Sequence, residues 1–200
     1  MPLFYDEFIK APNQEEEFTI EQIQELAKCA NDINYFLPKY VTIVTLDKGK
    51  QKFNPYPFQK DLINIFDQNR WSVVLCARQN GKSTIVGAYA LHYAIFNRDK
   101  FIGIVSNKEK SAKDILRRIK IMYQEMPYWM KPGVIEWNKQ SVEFDNGTRI
   151  EVSATSESAF RGRSINFLLC LTGENEVTVR DKKTGEIKIL SMKDLAKDLT

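Results

Sequence analysis

Cys76-Ala77-Arg78-Gln79-Asn80-Gly81-Lys82-Ser83-Thr84 lies between an apolar run, Val73-Val74-Leu75, and a helical pattern reaching from about Lys82 to Phe96. Strand, short loop and helix in that order make a phosphate cradle. N–H groups converge at the helix N-terminus, and the helix dipole adds partial positive charge there. Gly81 lets backbone approach phosphate closely, Lys82 reaches the β- and γ-phosphates as a point charge, and the Ser83 hydroxyl can ligate Mg²⁺. The usual first glycine of such a loop is Cys76 here, and the intact Gly81-Lys82-Ser83 with its flanking elements outweighs that departure. Stripped of those flanks, Gly-Lys-Ser is a common tripeptide and Lys82 would be a solvated side chain at a helix start. Arg78, Gln79, Asn80, Gly81, Lys82, Ser83 and Thr84 form the candidate nucleotide site, with ATP and Mg²⁺ as its cofactors. Within the loop Arg78 could face the γ-phosphate as an arginine finger in cis, whereas an arginine considered alone more often pairs with a nearby carboxylate. Gln59, after Asn54-Pro55-Tyr56-Pro57-Phe58, offers a side-chain amide that could read adenine, or serves as a polar residue at a helix start.

Outward from the loop the pattern is α/β. A helix through Leu62, Ile63 and Phe66 precedes it. Phe101-Ile102-Gly103-Ile104-Val105 then reads as a buried strand, Ala112 to Met126 as an amphipathic basic helix, and Ile165 to Leu169 as another apolar strand. Strand, crossover helix and strand predict a parallel sheet. Val142-Glu143-Phe144 and Arg149-Ile150-Glu151-Val152 flank Asp145-Asn146-Gly147, a hairpin signal. Upstream, Thr19 and Gln22 make a capping box for a helix carrying Ile23, Leu26, Ala30, Ile33 and Leu37. The strand Tyr40 to Val44 follows, then a turn at Asp47-Lys48-Gly49 and a return strand through Phe53. Residues 1–18 are expected to be a loosely ordered arm.

Composition bounds the rest. The 200 residues are 43% hydrophobic and 28% charged, ordinary for a soluble globular chain. A net charge of +3 permits contact with nucleic acid without arguing for it. No apolar run is long enough to span a bilayer and Met1-Pro2-Leu3 opens no signal layout, so the cytoplasm is the expected compartment and no membrane partner is expected. Cys29, Cys76 and Cys170 are too widely spaced for a zinc site or a disulfide framework.

In order along the chain, these residues resemble the large terminase subunit of tailed double-stranded-DNA bacteriophages, the ATPase that drives DNA into proheads. The likeness runs from about Phe18 to Leu169. It is carried by Asp32-Ile33-Asn34-Tyr35-Phe36, by Tyr56-Pro57-Phe58-Gln59-Lys60, and by the deviant Walker A loop with Arg78-Gln79 before Gly81-Lys82. Pro132-Gly133-Val134-Ile135-Glu136-Trp137-Asn138, Asp145-Asn146-Gly147 and Arg161-Gly162-Arg163-Ser164 complete it. The resemblance implies a P-loop NTPase fold in the host cytoplasm, with double-stranded DNA, the prohead portal and the small terminase as partners. It also implies a Walker B strand ending in Asp-Glu, to hold Mg²⁺ and orient water. Ile165-Asn166-Phe167-Leu168-Leu169 supplies the strand, but Cys170-Leu171-Thr172-Gly173 stands where the acids belong.

Beyond Leu169 the character changes. Glu176 to Arg180 and Glu186 to Leu190 alternate as a hairpin around Asp181-Lys182-Lys183-Thr184-Gly185, and Ser191 is expected to cap a short helix with Met192, Leu195 and Leu199. A cysteine, a short turn and a β-hairpin resemble the start of an intein, of the Hint fold. The resemblance makes Cys170 the splicing nucleophile that attacks the Leu169 carbonyl; a buried cysteine at a strand end is the plainer alternative. The single histidine, His92, lies in the ATPase helix, so the Thr-x-x-His element and terminal Asn of inteins are missing. The expected organisation is an N-terminal lead-in (1–50), a partial terminase ATPase domain (51–169) and an intein N-fragment (170–200). A separate chain carrying the intein C-fragment and the remaining terminase would complete it by trans-splicing. A contiguous intein seen only in part, and a helicase-like P-loop ATPase, are the alternatives.

Overall fold

Thr19 opens the first helix, α1 (Ile20–Asn31), through the anticipated capping box. Its Oγ1 accepts from the Gln22 N–H at 3.3 Å, and Gln22 Oε1 accepts from the Thr19 N–H at 2.9 Å. The single helix expected through Leu37 is instead interrupted at Asp32, whose backbone is extended and whose carboxylate accepts from the Asn34 and Tyr35 N–H groups. Asp32 thereby caps a second helix, α2 (Ile33–Tyr40). The break redirects the buried stripe to Cys29, Ile33, Phe36 and Leu37, leaving Ile23 and Ala30 exposed. A short antiparallel pair follows, β1 (Thr42–Thr45) and β2 (Gly49–Lys52), with Gly49 at φ 65° closing the turn.

The computed structural model describes residues 7–45, 47–74, 80–155, 159–160, 162–171, 176–180 and 187–191. Next in order come α3 (Pro57–Gln68), α4 (Lys82–Phe96), β3 (Phe101–Ser106) and α5 (Glu109–Gln124). Then β4 (Val134–Trp137), β5 (Ser141–Phe144), β6 (Arg149–Ala154) and β7 (Phe167–Leu171) complete the main sheet. Helix α4 is buried nearly all round, from Ile85 to Leu91 and at Ala94, which marks it as the central helix. Helix α5 buries only Ala112, Ile115, Leu116, Ile119, Met122 and Tyr123, an i, i+3, i+4 stripe, and turns Arg117 and Arg118 outward.

The sheet order is β4-β5-β6-β3-β7. β3 pairs in parallel with both β6 and β7, while β5 is antiparallel to β4 and β6. The expected parallel sheet is therefore mixed. Asp145-Asn146-Gly147 reverses the chain without a helix, and such a tight turn can only join antiparallel strands. Arg149 ties this outer part together, pairing with Glu136 at 2.9 Å, Glu143 at 2.6 Å and Glu151 at 3.2 Å. Strand β4 was not anticipated. A second correction concerns Val73-Val74: residues 72–74 are not a strand and both valines are exposed, while Leu75 lies outside the described residues. Among the described strands β3 is flanked by β6 and β7, and β7 forms one edge of the sheet.

The arm is ordered where it is described. Lys10 is buried against Glu16 at 2.8 Å, its carbonyl accepts from the Val134 N–H at 2.9 Å, and Lys131 Nζ donates to the Glu7 and Phe8 carbonyls. At the other end, β8 (Glu176–Arg180) and β9 (Ile187–Ser191) form the expected antiparallel hairpin. Ser191 belongs to β9, and the helix expected through Met192, Leu195 and Leu199 lies outside the described residues. No described helix is long and apolar enough to cross a membrane.

Candidate functional site

The exit of the loop is fixed by one glycine. Gly81 is the N-cap of α4 at φ 78°, a left-handed conformation in which a side chain costs roughly 1–2 kcal/mol. Its carbonyl accepts from the Thr84 and Ile85 N–H groups at 2.9 and 3.0 Å, which starts the helix directly at Lys82. The first turn thus carries an ammonium and two hydroxyls, Lys82, Ser83 and Thr84, at the positive end of a 15-residue dipole. This donor set suits a phosphate chain, and Ser83 is the hydroxyl in it that would hold Mg²⁺. Asn80 is half-buried beside it. Arg78, Gln79 and Cys76 lie outside the described residues, so the finger assigned to Arg78 stays an expectation from sequence.

Gln59 is 1% exposed. Its Oε1 accepts from the Tyr56 N–H at 3.0 Å, and its Nε2 donates to the Asn80 carbonyl at 3.4 Å. A second residue enters the site from far along the chain: Arg118 of α5 donates through Nη1 to Thr84 Oγ1 at 3.2 Å. Sequence reading missed it, because nothing local distinguishes Arg118 from its neighbour Arg117.

The far end of α4 is anchored by the hairpin turn. Asn146 Nδ2 donates to the carbonyls of Ala94 at 2.8 Å, Ile95 at 3.3 Å and Asn97 at 3.0 Å, and its Oδ1 accepts from the Thr148 N–H at 3.0 Å. The turn that the sequence marks only as a chain reversal therefore also satisfies the orphan carbonyls of the loop's helix.

At the other candidate site, Leu169 and Cys170 sit inside β7, in register with Ile104 and Val105. The strand continues through Leu171, so the boundary anticipated between 169 and 170 falls within one element. Cys170 is exposed, yet surrounding protein desolvates the thiol enough to raise it above its ordinary value. Cys29 is buried and pushed up to about 12, chiefly by burial, which leaves it inert. His92 packs edge-on to Phe36 at 5.2 Å with Nε2 against the Cys29 carbonyl at 2.8 Å, and burial lowers its pKa; it is a core residue. Among the described residues no three His, Cys, Asp or Glu side chains gather as a metal site.

Residues 73–170 match the family model described as terminase large subunit, T4likevirus-type, N-terminal. The crystal structure of the HK97 bacteriophage large terminase is similar in fold, with a TM-score of 0.56 and 15% sequence identity. The alignment covers 70% of this chain and only 30% of that one. Residues 73–170 are thus similar to the N-terminal part of a terminase large subunit, and the fold is similar to that of a phage large terminase.

Proposed function

We propose that this chain is the N-terminal half of a DNA-packaging ATPase, joined at Leu169-Cys170 to the N-fragment of an intein. Residues 78–84 bind ATP: the N–H groups after Gly81 and the Lys82 ammonium hold the phosphates, and Ser83 orients Mg²⁺. Arg78 supplies transition-state charge in cis. The metal, when bound, neutralises developing charge on the phosphates. The acidic pair that completes such a site follows the intein, so the unspliced chain binds nucleotide with negligible hydrolysis. After splicing, the product acts on double-stranded DNA in the host cytoplasm, with the prohead portal and the small terminase.

One observation carries the proposal: the family match stops at residue 170, the residue at which the sequence departs from the pattern of an Asp-Glu strand end. The antiparallel β8–β9 pair just downstream supports a separate origin for that segment. In the first step Cys170 Sγ attacks the Leu169 carbonyl carbon. A C–S bond forms, the C–N bond to Cys170 breaks, and the thiol proton goes to the freed amine. A nucleophile at the far junction then captures the thioester.

Titration of the purified chain with ATP tests the nucleotide part. Binding in the micromolar range, without turnover, is expected; turnover at motor rates by this chain alone contradicts the proposal and favours a self-sufficient helicase-like ATPase.

A further inference from the structure

We infer that Arg118 is a second cation of the phosphate site, carried by α5 to the first turn of α4, where it grips the phosphate chain of a nucleoside triphosphate together with Lys82. The inference rests on the nucleotide reading of residues 80–84 and adds to it a residue from outside the loop. Arg118 Nη1 donates to Thr84 Oγ1 at 3.2 Å, and Thr84 stands two residues beyond Lys82 on α4. Among the described residues this is the one polar contact of the guanidinium. Asp114 stands one turn earlier on α5, yet the guanidinium is turned to the hydroxyl and not to that carboxylate.

Packing dictates the placement. Helices α4 and α5 meet at Gly87, where an added Cβ would lie 3.4 Å from Ile119 Cγ1 and 3.9 Å from Ile115 Cγ2. Both isoleucines are buried. Arg118 immediately precedes Ile119, and Thr84 lies three residues before Gly87, so the crossing that buries the isoleucines also sets Arg118 against the phosphate-binding turn. The cation is therefore delivered by a packed helix and not by a loop. Its chemistry suits phosphate. A guanidinium carries five N–H donors in one plane, Thr84 takes one, and the others can pair with phosphate oxygens in a fork. Thr84 accepts from Arg118 and still has its own O–H to donate. Arg117 supplies an internal control: it is exposed, has the same charge, and points roughly 100° away around the helix.

Inorganic tripolyphosphate isolates the phosphate contacts, because it has no base or sugar. The full chain and its Arg118→Ala, Arg118→Lys and Arg117→Ala variants are titrated calorimetrically with tripolyphosphate and with ATP and Mg²⁺, and each is melted with and without ATP. Arg118→Ala should weaken both ligands by at least about tenfold, the weight of one charge-assisted hydrogen bond. It should also shrink the rise in Tm that ATP gives, while the Tm of the unliganded chain stays where it was. Arg118→Lys should recover part of the loss, since a point charge replaces the fork. Arg117→Ala should change either affinity by about twofold or less in 0.15 M salt, where exposed charges are screened beyond about 8 Å. Equal losses from Arg117→Ala and Arg118→Ala would reduce the effect to net charge and overturn the inference. A lower unliganded Tm with unchanged affinity in Arg118→Ala would make the residue a strut between helices, and overturn it too. Failure of the parent chain to bind either ligand overturns the nucleotide reading itself, and the inference with it.

Discussion

Asn146→Ala should loosen α4 from the end opposite Gly81. The side chain spreads two amide hydrogens over the carbonyls of Ala94, Ile95 and Asn97 and accepts the Thr148 N–H. At about 0.5–1.5 kcal/mol net per bond, and with a half-buried site that water partly rescues, truncation costs about 2–3 kcal/mol. For a chain of this size that lowers Tm by about 4–12 °C. Asn146→Asp should cost at least as much. It keeps the acceptor, loses the donors and sets a negative charge at the negative end of the α4 dipole, adding about 0.3–1 kcal/mol at low salt. Thermal melts followed by circular dichroism rank the three proteins, and melts at high salt should narrow the gap between Asp and Ala. Melting of both variants within 1–2 °C of the parent, well below that estimate, would refute the anchoring role.

Three further outcomes follow from the same geometry. Lys82→Ala should weaken ATP and tripolyphosphate by at least about tenfold, the weight of one charge-assisted contact, while leaving Tm nearly unmoved; calorimetry and melts read both. Gly133→Ala drives a methyl into the Ala11 carbonyl and Pro12, each 2.6 Å away, and should cost about 1–3 kcal/mol while hastening protease cleavage within residues 7–18. Burial lowers the His92 pKa below its ordinary 6.5, so the unfolded chain takes up the proton first. Stability is then full above about pH 6.5 and falls as pH drops through the folded value, at up to about 1.4 kcal/mol per pH unit. His92→Phe should flatten that acid limb in denaturant titrations.

Local signals were legible wherever one residue type settles a local geometry. Gly81 before an apolar helix gave α4 its observed bounds, Thr19 and Gln22 gave the start of α1, and Asp145-Asn146-Gly147 gave the β5–β6 reversal. The misses share a cause: they depend on partners far along the chain. Asp32 sits within an unbroken hydrophobic pattern, and only its cap on α2 reveals the break. Val73-Val74 has the composition of a buried strand, yet both valines are exposed and neither lies in a described strand. At the site, Lys82 and Ser83 are readable from spacing alone. The bonds from Arg118 to Thr84 and from Gln59 to Asn80 span 34 and 21 residues, and no periodicity reports such distances. The hairpin at 176–191 was readable from alternation, whereas the passage of β7 through Cys170 was not, because a change of character in sequence need not coincide with the end of a strand.

The chemistry assigned to the Leu169-Cys170 bond is tested most directly by mixing this chain with a complementary chain that carries the rest of the intein and the following terminase segment, then weighing the products. Splicing predicts a new species in which residues 1–169 are joined by an ordinary peptide bond to that segment, and none from Cys170→Ala. Equal yield from the Cys170→Ala chain, or a product joined anywhere other than after Leu169, would contradict it.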